Sequence, residues 1–141
     1  LVATIGSTYV QQEAVPPVSV VAAVPVGLLA VALLVVNNLR DRETDRRAGK
    51  VTLAVVVGHR GTRAWYSVLV LGALAAPLLM WAFGAGGPSL LIGLFAALVF
   101  LRPLAAIWTG ADGRALNPVL RDTARGAGLF GLLFGIGLAL S

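Results

Sequence analysis

From Val18 to Val36 the chain runs for nineteen residues without a charged side chain, interrupted only by Ser19, Pro25 and Gly27. A run of that length and character needs a solvent as apolar as itself. About 20 helical residues at 1.5 Å rise cross the hydrocarbon core of a bilayer, and a helix satisfies every backbone polar group within its own segment. Three more blocks repeat the pattern. Trp65 to Phe83 has aromatic residues at both ends (Trp65 and Tyr66, Trp81 and Phe83), where interface anchors belong. Ser89 to Trp108 is broken by Arg102-Pro103, and Ala124 to Leu140 is glycine-rich and shortest. The expected fold is all-α, a polytopic transmembrane helical bundle. Spans are expected at about 18–38, 64–83, 89–108 and 122–140, after the end of a helix at 1–12, with connecting loops at about 39–63 and 109–121.

Composition supports that reading. Of 141 residues, 58% are hydrophobic and 12% charged, against about 25% charged in a soluble globule. The length suits one domain or part of one. A net charge of +5 invites a nucleic-acid reading, but the basic residues lie in two patches between apolar blocks. Seven of the eleven Lys and Arg residues fall between Arg40 and Arg63, and the other four between Arg102 and Arg125. That is the distribution the positive-inside rule produces, so the charge belongs to topology and no nucleic-acid partner is expected. With no cysteine and one histidine, disulfides, thiolate catalysis and multi-histidine metal sites are excluded.

The same asymmetry orients the chain. The connections at Gln11–Pro17 and Gly84–Pro88 carry one acidic residue and none, so both basic segments are expected in the cytoplasm and the carboxy terminus on the opposite side of a cell membrane. Leu1–Tyr9 has neither the basic start nor the cleavage site of a signal peptide. It reads as the end of a helix, which makes the chain a carboxy-terminal portion. Gly131 and Gly135, extended by Ala127 and Ala139, form a small-residue stripe that lets helices pack closely in lipid. The expected use is packing inside one bundle.

Three of the six acidic residues, Asp41, Glu43 and Asp45, sit where the first span meets water. If the helix continues, Asn37, Asp41 and Asp45 share one face. Two carboxylates and an amide so placed are hard oxygen donors of the kind Mg²⁺ takes, together with waters and substrate phosphates. Arg40, Arg46, Arg47 and Lys50 stand ready to neutralise phosphate oxygens, arginine through bidentate contacts, and Gly49 permits a turn after the helix. A solvated segment with salt bridges such as Asp41–Arg40 or Asp45–Arg42 accounts for the same spacing. An EF-hand calcium loop does not: its sixth position is Arg46 rather than glycine and its twelfth is Thr52 rather than glutamate.

The string Asn37-Asn38-Leu39-Arg40-Asp41-Arg42-Glu43-Thr44-Asp45-Arg46-Arg47-Ala48-Gly49-Lys50-Val51-Thr52, running on to Gly58, resembles the second aspartate-rich motif of the UbiA-type membrane prenyltransferases. Within them it is most similar to the polyprenyltransferases of 1,4-dihydroxy-2-naphthoate. Gly6-Ser7-Thr8-Tyr9-Val10-Gln11, Leu116-Asn117-Pro118-Val119-Leu120 and Thr123-Ala124-Arg125 agree. The resemblance implies the last four helices of a nine-helix fold. It also implies transfer of a prenyl group from a polyprenyl diphosphate to 1,4-dihydroxy-2-naphthoate, in menaquinone biosynthesis. Asp41 and Asp45 match the Mg²⁺-binding aspartates, and Asn37 takes the polar position one turn earlier. Arg40, Arg47 and Lys50 fall to the diphosphate.

One departure matters. The family's first aspartate-rich motif, Asn-Asp-x-x-Asp-x-x-x-Asp, does not occur in these residues, and the remaining aspartates, Asp112 and Asp122, lie elsewhere. The chain therefore carries half of a metal–diphosphate site, and the expected partner is the amino-terminal half of the same protein. Weaker candidates for the cavity are Asn38, Tyr9, Gln12, Arg102 and Asn117. For Arg102 snorkelling to the interface competes, and for Tyr9 interface anchoring does. His59 is expected to be solvated. Another aromatic acceptor such as 4-hydroxybenzoate fits the same fold, although the Asn37-Asn38 pair favours the naphthoate. A non-catalytic helical membrane subunit remains the alternative from a different class.

Overall fold

In the computed structural model, which describes residues 1–141, the chain is helical with no strand. Helix α1, Val2–Gln12, ends at Glu13, whose left-handed backbone (φ 53°) reverses the chain. Pro16 is extended and Pro17 occupies the first turn of α2, Pro17–Arg40, where its missing N–H costs nothing and its fixed φ suits the helix. Leu1 lies against Gly27, while Thr8 and Gln12 share a pocket with Ser19, so α1 runs antiparallel to α2.

Buried positions on α2 fall at Ala22, Pro25, Leu29, Ala32, Val36 and Leu39, alternating steps of three and four that keep one stripe on the partner helix. That partner is α4, Leu53–Ala82, whose matching stripe is Thr62, Tyr66, Leu69, Ala73, Pro77 and Met80. A short α3, Arg42–Arg47, lies between them. After α4 the chain enters a 3-10 segment, Pro88–Ala96, that continues into α5, Ala97–Ala106. A 3-10 turn, Gly113–Leu116, leads to α6, Asn117–Ala139. Val119, Thr123, Gly126, Phe130, Phe134 and Gly137 of α6 are buried, and the Phe130 and Phe134 rings stack at 5.2 Å between centroids. The core holds one polar contact of note: the hydroxyls of Tyr66 and Thr123 lie 2.7 Å apart, and Thr123 also donates to the Val119 carbonyl. Outside this core Val31, Leu34, Leu71, Phe95, Leu98 and Leu101 are exposed, a surface suited to lipid.

Several expectations are corrected. The segment 39–63 is not a loop, because α2 continues to Arg40, α3 is helical, and α4 begins at Leu53 rather than 64. Exposed charges do not oppose helix; what interrupts α4 is Gly58, whose φ of 74° and ψ of −178° leave the helical region and favour glycine. The span at 89–108 begins in 3-10 geometry, so Pro88–Ala106 reaches about 33 Å from rises of ~2.0 and ~1.5 Å per residue. Segment 109–121 shrinks because Asn117 opens α6 with Pro118 in its first turn.

Three helical stretches are long and apolar enough to cross a membrane: Pro17–Arg40, Leu53–Ala82 and Pro88–Ala106. The fourth expected span is helical, but Arg121, Asp122 and Arg125 occupy its early turns and leave a short uncharged remainder. Within this chain the small-residue stripe makes no close approach. A Cβ added at Gly131 or Gly135 would meet nothing within 4 Å, whereas at Gly137 it would lie 2.6 Å from the Ser89 carbonyl oxygen. The close approach is made two residues beyond Gly135, on the other side of the helix from the stripe the spacing suggested.

Candidate functional site

The alternation of connections places both charged segments at one end of the bundle. Arg63 Nη2 donates to the Ala111 carbonyl at 3.0 Å, and His59 Nε2 lies 3.4 Å from Asp112. At the other end Gly86 and Gly87 approach Ser141, and Ser89 donates to the Gly137 carbonyl.

The α2–α3 junction sits at the charged end. The Asp41 backbone (φ −93°, ψ 4°) separates the two helices, yet the hydrogen bonding continues. Asp41 N–H donates to Asn37 O at 3.0 Å, and Asp45 N–H to Asp41 O at 2.8 Å. Asn37, Asp41 and Asp45 therefore remain one turn apart, across a bend. Gly49, at φ 73°, ends α3, with Lys50 N–H returning to Asp45 O at 2.9 Å, the six-to-one bond of a Schellman turn. Arg42 Nε donates to the Ala54 carbonyl at 3.2 Å and ties α3 to the start of α4.

At this junction lies a cavity of about 390 Å³ lined by Arg40, Asp41, Thr44, Gly113, Arg114 and Asn117, with no hydrophobic residue among them. Arg40 grips Asp41 with two parallel bonds, Nε to Oδ1 and Nη2 to Oδ2, both 2.8 Å. Those hydrogen bonds hold the Asp41 carboxyl below the ordinary carboxylate range; partial burial opposes the shift, and the charges of Arg40 and Lys50 add to it. A depressed carboxylate pKa contributes stability that is complete above the unfolded value, near 3.9, and lost as pH falls through the folded value. Asp41 should therefore stay ionised through the neutral and mildly acidic range. In an isotope-edited infrared titration of labelled aspartate, Arg40→Gln is expected to move its protonation up toward pH ~4. No movement would mean that the Arg40 pair does not set the titration.

The other candidates divide. Asn117, the first residue of α6, joins Asp41 at the cavity. Asp45 does not line it; its side chain is mostly buried, 3.7 Å from the exposed Lys50 ammonium. The salt bridge expected with Arg42 is absent, because Arg42 turns to Glu43 and Ala54. Asn37 and Asn38 are half-buried and outside the cavity, and Arg47 is exposed. Tyr9 and Arg102 are exposed and do not line the cavity, Tyr9 lying on α1 and Arg102 on α5. Gln12 lines a separate pocket with Thr4, Thr8 and Ser141. His59 is half-buried and paired rather than solvated. Sequence reading missed Thr44, Gly113 and Arg114 as cavity residues. The clue was Gly110 and Gly113 flanking a polar segment just before the Asn117-Pro118 helix start.

The donors present suit a hard cation in part. Asp41 offers two carboxylate oxygens at the cavity, whereas Asp45 does not line it. Acidic and histidine side chains do not gather in threes anywhere in the chain. That set matches the one or two carboxylates Mg²⁺ usually takes from protein, with substrate oxygens and waters completing the shell.

The UbiA prenyltransferase family matches residues 1–139. The chain belongs to that family. It is 42% identical over 122 residues to a Mycobacterium tuberculosis protein named 1,4-dihydroxy-2-naphthoate octaprenyltransferase, covering 86% of the chain and 41% of that protein. An Escherichia coli protein of the same name is 35% identical over 136 residues, covering 96% of the chain and 44% of its own length. A Drosophila melanogaster homolog of UbiA prenyltransferase domain-containing protein 1 is 32% identical over 119 residues, covering 79% of the chain and 30% of that protein. No solved structure matches. The chain thus spans less than half the length of these UbiA relatives, and its apolar helices make it part of a multi-pass membrane protein.

Proposed function

We propose that this chain forms part of a membrane prenyltransferase that moves a polyprenyl group from polyprenyl diphosphate to 1,4-dihydroxy-2-naphthoate, with loss of carbon dioxide and diphosphate, in menaquinone biosynthesis. The observation that carries the proposal is the hydrophilic cavity around Asp41, at the end of helices whose outer surface suits lipid. The donor has a charged head and a hydrocarbon tail, and this is where both find their solvent.

The allylic C–O bond to diphosphate breaks, a carbon–carbon bond forms to the electron-rich ring, and the ring carboxylate departs as carbon dioxide. Asp41, Asp45 and Asn37 would hold Mg²⁺, which when bound supplies charge stabilisation to the leaving diphosphate. Arg40 fixes Asp41 in its ionised form, and Arg47 and Lys50 supply further positive charge to phosphate oxygens. Lys50 is 70% exposed and its 3.7 Å contact with Asp45 is loose, so it can turn to the diphosphate at little cost. Apolar helix walls exclude the water that would quench an allylic cation. The first aspartate-rich motif comes from residues outside this chain, and the charged end faces the cytoplasm across the plasma membrane.

The test is a competition assay on membranes carrying the complete protein, given polyprenyl diphosphate, Mg²⁺ and equal amounts of 1,4-dihydroxy-2-naphthoate and 4-hydroxybenzoate. Mass spectrometry should find prenylated naphthoquinol. Prenylated hydroxybenzoate in its place would overturn the acceptor, and no prenylated product would overturn the enzyme.

A further inference from the structure

The segment between α5 and α6 is built to stay in one place. Gly110 (φ 87°) and Gly113 (φ 53°) adopt left-handed backbone on either side of Ala111-Asp112, a pair of sharp turns that glycine makes without strain. Between them the segment is pinned to α4 at two points. Arg63 donates to the Ala111 carbonyl, and His59 meets the Asp112 carboxylate. Asp112 also accepts from the Gly113 N–H at 2.9 Å, which starts the 3-10 turn that leads into α6. Leu116 is fully buried and anchors the far end.

The residue this arrangement delivers to the cavity is Arg114. Its position beside Asp41, Arg40 and Thr44 joins residues more than sixty positions apart. Arg40 is already committed to Asp41 through two bonds, so its charge is largely met. Arg114 is exposed and makes no ion pair. It is the cation that leaves the cavity one positive charge in excess, and a guanidinium presents phosphate oxygens with a planar fork. Thr44 does not compete for the ligand as a donor, since its hydroxyl is spent on the Asp41 carbonyl at 2.7 Å.

We infer that Arg114 is a substrate-binding residue of the diphosphate site, carried in from the α5–α6 segment, and that Arg63 is a positioning residue that holds this segment over Asp41. The inference rests on the prenyl-diphosphate reading above but not on its choice of aromatic acceptor.

The experiment measures binding of inorganic diphosphate to the complete, purified protein by calorimetry in the presence of Mg²⁺, and the donor and acceptor KM values in the same preparation. Losing one charge-assisted contact weakens an anion by about ten- to a hundred-fold. Arg114→Ala should therefore weaken diphosphate and raise the donor KM by about that factor, leave the acceptor KM unchanged, and be partly rescued by Arg114→Lys. Arg63→Ala should raise the donor KM in the same direction, because the tether is lost while Arg114 remains. Arg60→Ala is the control: Arg60 is exposed at the same end of the bundle but outside the cavity. An equal loss from Arg60→Ala would reduce Arg114 to one more charge in a diffuse field and overturn the proposal. A raised acceptor KM with unchanged diphosphate binding would overturn it too. Because diphosphate binding needs no turnover, failure of the naphthoate assay leaves this measurement able to decide.

Discussion

Asp41→Asn in the complete protein should lower prenyl transfer by about a hundred- to a thousand-fold, the loss seen when one preorganised electrostatic group is removed from a reacting centre. The substitution keeps the side chain's shape and removes its charge. The bidentate grip of Arg40 becomes a single hydrogen bond to an uncharged acceptor, because an amide offers one acceptor oxygen where the carboxylate offered two. Folding should survive: the pair is partly exposed, and such pairs contribute only about 0–1 kcal/mol. Membrane abundance and the unfolding midpoint are therefore the controls, and turnover near that of the unaltered protein would remove Asp41 from the site. Asp45→Asn separates the two aspartates. Equal loss would put both around the diphosphate. Loss confined to Asp41 would leave Asp45 as the partner of Lys50, as its absence from the cavity lining suggests.

What could be read from the sequence, and what could not, follows the range of the interactions involved. The α2 stripe at Ala22, Leu29, Ala32, Val36 and Leu39 is a local periodicity, and it is visible in the chain as written. The meeting of the two basic segments at one end follows from counting spans between them, because each crossing reverses the direction. Asp41 and Lys50 stand out because the motif is contiguous. Arg114 does not, because its neighbours at the cavity are set by the α2–α6 packing rather than by spacing. The break at Gly58 was hidden for a different reason. It follows the apolar run Leu53–Val57 and precedes charged residues, so composition alone read a loop where the backbone forms two helical pieces. His59 was expected in water. The turn at Gly58 instead directs it to Asp112 across the bundle end.

The glycines of α6 carry the second large effect, and within this chain the close approach falls outside the stripe that spacing singles out. Gly131 and Gly135 fit the small-xxx-small pattern, yet neither has a neighbour within 4 Å of an added Cβ. Gly137 is the one that cannot be replaced. A methyl group there would sit 2.6 Å from the Ser89 carbonyl oxygen, 3.1 Å from its carbonyl carbon and 3.0 Å from Leu90 Cα. These are backbone atoms, with no rotamer to turn aside. The same contact carries the Ser89 hydroxyl's hydrogen bond to the Gly137 carbonyl at 2.8 Å, so relief by sliding the helices apart also breaks a polar bond in an apolar setting. Overpacking of this kind costs about 1–3 kcal/mol, and Gly137→Ala should lower the unfolding midpoint and the membrane abundance accordingly. At Gly126 an added Cβ would meet the Phe100 ring at 2.7 Å, and that ring is fully buried, so Gly126→Ala should also overpack the core. Gly135→Ala reports on what covers the outer face of α6: an unchanged midpoint means lipid, and a loss means that another helix of the complete protein packs there. If Gly137→Ala is as stable as the unaltered protein, the 3-10 segment does not ride on α6 as described, and the close approach at Ser89 is wrong.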